Sequence, residues 1–258
     1  MDLIFYIFVG ASVGAAVGLT GVGGGSLMTP LLILWGIPEK IAIGTDLLYA
    51  AATKTGAMHS HNRQGNIRWS LVLWLALGSI PASLATNLVL TYLIPPDLDY
   101  GPTLTKTLGA MLIVTALVVL LRPFLQSEGR ERLKTAWIQR YSGPVSLVAG
   151  IALGILVTLS SVGAGAFCAA LLMVLHPKMP SIKVVGTDIG HAVPLTLVAG
   201  MGHMWNGNID YQLLAGLLLG SLPAVHYSSK LANRVPNNLL QPILSSLLMI
   251  IGLKFSFF

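Results

Sequence analysis

Ten apolar segments follow one another along the chain, at about 3–20, 26–36, 42–60, 70–92, 104–121, 144–160, 166–176, 183–203, 210–227 and 239–257. Most approach the ~20 residues that a helix needs to cross a bilayer core. None shows the period-two alternation of a membrane barrel, so the pattern predicts helices throughout. The second and seventh segments are too short for a ~30 Å core at 1.5 Å per residue. Each follows a glycine-rich break, Gly21-Val22-Gly23-Gly24-Gly25 and Ser161-Val162-Gly163-Ala164-Gly165. They are expected to be half-helices or tilted, broken ones. The first segment lacks the positive flank of a signal peptide, which predicts a retained helix.

Composition sharpens this to an all-α polytopic membrane protein. Only 9% of residues are charged, against about 25% in a soluble domain, and mean hydropathy is +0.78. The lipid bilayer is therefore the first partner. The net charge of +6 is expected to reflect cytoplasmic loops rather than nucleic-acid binding. Cys168 is the single cysteine. It excludes an internal disulfide and reads as a small core residue.

The polar residues inside the apolar pattern repeat. A shift of 142 places Gly44-Thr45-Asp46 on Gly186-Thr187-Asp188, His61 on His203, Gly65-Asn66-Ile67 on Gly207-Asn208-Ile209, and Gly78-Ser79 on Gly220-Ser221. Shared Leu and Ala could follow from composition; shared Thr-Asp, His and Gly-Asn do not. With the offset shortened to 140, the two breaks align, and Gly10 and Gly14 fall on Gly150 and Gly154. The halves are read as residues 1–122 and 144–258, joined by a linker at 123–143.

Five segments per half is an odd number, so the second copy must insert upside down. With the N-terminus outside, the inner loops collect eleven of the fifteen Lys and Arg residues, Lys54 lies toward the inner end of the third segment, and only Lys40, Lys106 and Lys254 lie outside. The positive-inside rule then predicts two inverted repeats, both termini outside a bacterial-type inner membrane, and a cytoplasmic linker. Leu133 and Trp137, spaced i, i+4 among basic residues, fit either an amphipathic surface helix or a solvated connector.

Four features could carry chemistry. Contiguous Gly23, Gly24 and Gly25 disfavour a continuous helix and can present bare N–H groups to an anion. Gly10, Gly14 and Gly18, spaced by four, fit close helix packing instead. Asp46 and Asp188 lie inside apolar segments, where a carboxyl group is costly and usually functional. They are candidate proton carriers, or else caps of a nearby helix start with Thr45 and Thr187 as partners. His191 follows Asp188 by three residues and shares its helix face. Lys54 could draw an anion inward, but snorkelling to the inner surface is the favoured reading. His59 and His61 have poor spacing for a metal, and neither metal nor cofactor is expected. The Gly-Asn pairs predict tight turns, and Trp35, Trp69 and Trp205 predict interface anchors.

The breaks, Pro30 just after the first, Ala42-Ile43-Gly44-Thr45-Asp46, and their second-half partners resemble the sulfite exporter TauE/SafE family, also described as four-toluene-sulfonate-uptake permeases. The resemblance covers nearly the whole chain. It implies a carrier of small sulfur-containing anions coupled to an ion gradient, with Gly23, Gly24, Gly25 and Ser26 lining the path and Ser161, Gly163 and Gly165 opposite. Thr45 and Thr187 join this substrate set, with Asp46, Asp188 and His191 as the coupling groups. Ser160, Ser161 and Ala164 stand where the family pattern has glycines.

Three other functions compete. A passive anion channel is one, though no ring of charge suggests a pore. An intramembrane aspartyl protease is another, but both aspartates here share one duplicated Gly-Thr-Asp context. A structural membrane subunit is the third. A second copy of the chain, as a homodimer, stays open as a partner.

Overall fold

A computed structural model describes residues 3–20, 27–95, 98–126, 142–176, 179–231 and 237–257. These residues form ten helices and no strand. The first half contains α1 (Leu3–Thr20), α2 (Met28–Leu34), α3 (Glu39–Arg63), α4 (Trp69–Leu88, closing in a π-type turn Val89–Leu93) and α5 (Gly101–Gln126). The second half contains α6 (Ser142–Ser160), α7 (Ala166–Leu175), α8 (Ser181–Trp205), α9 (Tyr211–Leu231) and α10 (Asn237–Phe257). The ten apolar segments and ten helices correspond one to one, with α2 and α7 short as expected. The stretch 127–141, with the Leu133/Trp137 pattern, lies outside the described residues. So do Gly23, Gly24, Gly25 and Ser26.

Local chemistry explains the boundaries. Pro38 and Pro180 precede α3 and α8 with ψ of 139° and 142°, extended geometry that cannot belong to a helix. Both helices end on a left-handed glycine, Gly65 at φ 67° and Gly207 at φ 71°. The following Asn66 and Asn208 donate their N–H groups back to His61 and His203 carbonyls, each at 2.9 Å. This is the Schellman arrangement, which only glycine enters without a Cβ penalty. The expected Gly-Asn turns are therefore helix stops.

Glycines also set how the helices meet. A Cβ on Gly10 or Gly14 would run into the backbone of Leu217 and Ser221 on α9. One on Gly150 or Gly154 would meet Leu75 and Ser79 on α4. Under the repeat offsets these are the same contact made twice, and the four-residue spacing gives backbone-to-backbone packing. Both pairs run parallel. The equivalent helices α3 and α8 instead cross antiparallel, with Gly44 against His203 and Gly200 against Leu48. So do α5 and α10, with Gly109 against Ser256 and Gly252 against Ile113. Antiparallel pairing of repeated helices is what an inverted duplication requires.

Among the described residues, four helices are long and apolar enough to cross a membrane: Trp69–Leu93, Gly101–Leu121, Ser142–Ser160 and Ser181–Trp205. Leu73, Leu77, Leu84 and Leu88 stand exposed along α4, as do Val148, Ile151 and Ile155 along α6. Exposed apolar stripes of this size belong against lipid. Helix α3 carries too many polar residues to qualify. It compensates by lying inside, with Ala42, Ile43, Gly44, Thr45, Asp46 and Leu47 all buried. Trp35, Trp69 and Trp205 sit at helix ends and are exposed, as interface anchors should be.

Candidate functional site: a buried ionic cluster at the α3–α8 crossing

The repeated Gly-Thr-Asp motif divides its work among its three residues. Gly44 lets the Asn208 carbonyl of the second half approach α3, and Gly186 does the same for Asn66 of the first half. Thr45 Oγ1 accepts the Asp210 N–H at 3.2 Å, and Thr187 Oγ1 accepts the Arg68 N–H at 3.0 Å. Each half thus ties down the loop that ends the other's central helix. That reciprocal tie accounts for the Gly-Thr and Gly-Asn-Ile motifs recurring together. Asp46 and Asp188 are the remaining third. Their own helices begin at Glu39 and Ser181, seven residues earlier, so neither caps its own helix; Asp46 serves instead the start of α2, where Thr29 lies in the first turn.

Asp46 is fully buried. Its Oδ2 accepts hydrogen bonds from Thr29 Oγ1 at 2.5 Å and Ser161 Oγ at 3.0 Å. Thr29 lies in the first turn of α2 and Ser161 in the second-half break, so one carboxylate joins the start of α2 to that break. Ser161 is the only non-glycine with positive φ among the described residues, at 58°. An L-residue pays a steric cost there, and such outliers cluster at functional sites. Gly163 follows at φ 115° with Met111 against it, while Gly165 borders open space.

Lys54 corrects the snorkelling expectation. It is only 8% exposed, and its Nζ donates to the Ala164 carbonyl at 2.8 Å, across the two halves. The physical reason is the break. Irregular backbone leaves a carbonyl without a helical donor, and an ammonium in the core satisfies it. Asp188 and Asp46 both lie within electrostatic reach of this ammonium.

His191 is fully buried on α8. Its Nε2 is 2.8 Å from Ser79 Oγ and its Nδ1 is 3.8 Å from Cys168 Sγ. The Cys168 thiol is also hydrogen-bonded to Asp188. Cys168 is the small core residue its apolar surroundings imply, packed in a buried apolar cluster, and its thiol also touches Asp188 and His191. The repeat partner of His191, Tyr49, faces Ser221, which is the partner of Ser79. The scaffold is symmetric and the chemistry on it is not.

Of the candidate residues, Asp46, Ser161, Asp188 and His191 come together in this cluster, beside Gly163 and Gly165. Thr45 and Thr187 hold the loops at its edge. Sequence reasoning missed Thr29, Ser79, Cys168 and the Ala164 carbonyl. Thr29 left a readable signal, a lone hydroxyl in the first turn after a break; a backbone carbonyl leaves none. No group of three metal-ligating side chains occurs among the described residues.

Inverted helical halves around a buried ionic cluster define a polytopic membrane transporter. The family model for the sulfite exporter TauE/SafE matches residues 6–255, and the chain belongs to that family. It is 40% identical over 250 residues to the probable membrane transporter protein YjnA of Bacillus subtilis (strain 168), covering 96% of this chain and 97% of that one. It is 30% identical over 246 residues to the probable membrane transporter protein YdhB of the same organism, covering 93% and 94%. A probable membrane transporter protein of Methanocaldococcus jannaschii is 26% identical over 268 aligned residues, covering 96% and 92%. No solved structure matches.

Proposed function

We propose that the protein is a secondary transporter of small sulfur-containing anions, such as sulfite or a sulfonate, working by alternating access and driven by an ion gradient. The observation that carries this reading is the buried Lys54–Asp46–Asp188 cluster. It sits where the second-half break meets α2 and α3, between two inverted halves. Intramembrane ionisable groups mark ion or substrate pathways, and broken helices between inverted repeats mark the substrate site. The breaks, with Gly23, Gly24, Gly25 and Ser26 on one side and Ser161, Gly163 and Gly165 on the other, line the anion path. Asp46 and Asp188 carry the coupling ion, with His191 beside them. Thr45 and Thr187 bound the site and hold its loops. The family's name supports the sulfur oxyanion class.

Flux of labelled sulfite, thiosulfate and sulfonates into proteoliposomes tests this. A transporter accumulates one of them above equilibrium when a proton gradient is imposed, and an uncoupler collapses the accumulation. Flux that only equilibrates makes the protein a passive channel. No flux of any of the three ends the sulfur-anion reading.

The membrane orientation belongs to the same proposal: an inner membrane, termini outside, and the 123–143 linker in the cytoplasm. In a Ser127→Cys variant, a membrane-impermeant maleimide is expected to label inside-out vesicles and spare intact cells. The native Cys168 is buried and adds little background. Labelling of intact cells alone would invert the topology.

A further inference from the structure

Helix α6 ends on a carbonyl that lacks its helical donor. The N–H of Val162, which would serve the Thr158 carbonyl in a continuing helix, goes instead to Ser160 Oγ at 3.2 Å. A buried carbonyl left this way needs another partner. His203 on α8 supplies it. Its Nε2–H donates to the Thr158 carbonyl at 2.9 Å, and Asn208 Nδ2 donates to its Nδ1 at 3.4 Å. Both ring nitrogens are engaged and the side chain is fully buried. Around it the seam between α4 and α8 is shut. Ser83 Oγ lies 2.7 Å from Thr158 Oγ1, Asn87 Nδ2 donates to the Ala199 carbonyl at 3.4 Å, and Thr91 Oγ1 donates at 2.6 Å to Oδ1 of Asn206, just past α8.

The repeat places His61 on His203, and it places Gly18, two residues before the end of α1, on Thr158, two residues before the end of α6. The two copies are not in the same state. His61 is partly exposed, and its Nδ1 is buried with no hydrogen-bond partner among the described residues. Such an orphan is rare and calls for a reason. Asn66, the counterpart of Asn208, gives its amide to Gln64 Oε1 at 3.0 Å instead. Ala57 and Met58 are partly exposed where their counterparts Ala199 and Gly200 are buried. A Cβ added to Gly56 would meet nothing within 4 Å. Helix α9 also packs less extensively on α3 than its counterpart α4 does on α8.

We propose that His203 and His61 are the clasps of the two gates of an alternating-access carrier, and that the structure holds the gate at the α8 end shut and the gate at the α3 end open. When the halves exchange shapes, His203 releases Thr158, α9 closes on α3, and His61 takes the corresponding carbonyl near the end of α1, that of Gly18. This deepens the transporter reading and rests on its alternating access, not on its cargo. In the proposed orientation the shut end faces outward. Each clasp is a hydrogen bond present in one state only. Removing it shifts the equilibrium between the states, in opposite directions for the two histidines. A contact that merely packs the fold has no such opposition; losing it loosens either end alike.

Ser83 is fully buried on α4 under the shut seam, so a thiol there reports its opening. Purified Ser83→Cys protein in detergent is treated with a hydrophilic maleimide. Unsubstituted protein, whose one thiol is the buried Cys168, supplies the background. Adding His203→Ala should raise the labelling rate at least about threefold, and adding His61→Ala should lower it by a similar factor, the equilibrium weight of one hydrogen bond. An unchanged rate with His203→Ala overturns the clasp. A rate that rises or stays the same with His61→Ala overturns the exchange. Should His203→Ala fail to fold, the sign of the His61→Ala effect decides alone. The labelling uses no cargo. Protein that shows the opposite shifts but carries none of the three anions keeps the gates and loses the sulfur-anion reading; protein that carries an anion without the shifts loses only the clasps.

Discussion

Asp46→Asn is expected to fold normally and to lose nearly all gradient-driven flux. The amide oxygen of asparagine can still accept from Thr29 and Ser161, so α2 and the second-half break stay joined. What is lost is the charge. A hydrogen bond to an ionised group contributes about 1.5–3 kcal/mol, or roughly 10- to 100-fold in an equilibrium. A carrier that can no longer exchange a proton at this position loses coupling altogether. Asp46→Leu should behave differently. It strands two buried hydroxyls at about 1–3 kcal/mol each, so the detergent-solubilised protein should melt several degrees lower. The measurement is flux under an imposed proton gradient alongside thermal unfolding. Full pH-dependent flux in well-folded Asp46→Asn would remove Asp46 from the coupling role.

Gly24→Val should abolish measurable anion binding while leaving folded, membrane-inserted protein. The substitution adds a stiff β-branch where the proposal needs bare backbone N–H groups. Losing even one such contact weakens affinity roughly tenfold. Gly14→Ala is the contrast. Its new Cβ would lie 2.7 Å from the Ser221 Cα on α9, and neither backbone can yield without moving a helix. Overpacking of this kind costs about 1–3 kcal/mol. Gly14→Ala should therefore lower yield and melting temperature and leave the affinity of surviving molecules near normal. Unchanged affinity in folded Gly24→Val would assign the first break to packing as well.

The helices were legible because lipid imposes a single rule on every segment that faces it, and the repeat was legible because polar residues rarely coincide by chance. The tie between Gly44-Thr45 and the Asn208–Asp210 turn was visible only as two motifs that recur together. Their contact is long-range, across the halves, and no local pattern announces it. Lys54 shows the limit most clearly. Near the end of an apolar run, a lysine that snorkels and a lysine that turns inward have the same sequence. What separates them is a carbonyl left without a helical donor 110 residues away, and a carbonyl is present at every position. Asp46 was recognised as out of place in an apolar segment. Its partners depend on where two helices begin: it lies seven residues inside α3 and reaches the first turn of α2.

The latch between Lys54 and Ala164 has no mirror image. Under the repeat offsets the lysine corresponds to Thr196 and the carbonyl to that of Gly24. Thr196 spends its hydroxyl on its own helix, donating to the Ala192 carbonyl at 2.8 Å. If the opposite-facing conformation arises when the halves trade shapes, it must form without this contact. A charged hydrogen bond of about 1.5–3 kcal/mol would then tilt the resting population of empty carriers roughly 10- to 100-fold toward one face. Such a carrier waits for cargo mainly on one side of the membrane. Its two directions of travel share an equilibrium but differ in how often each is begun.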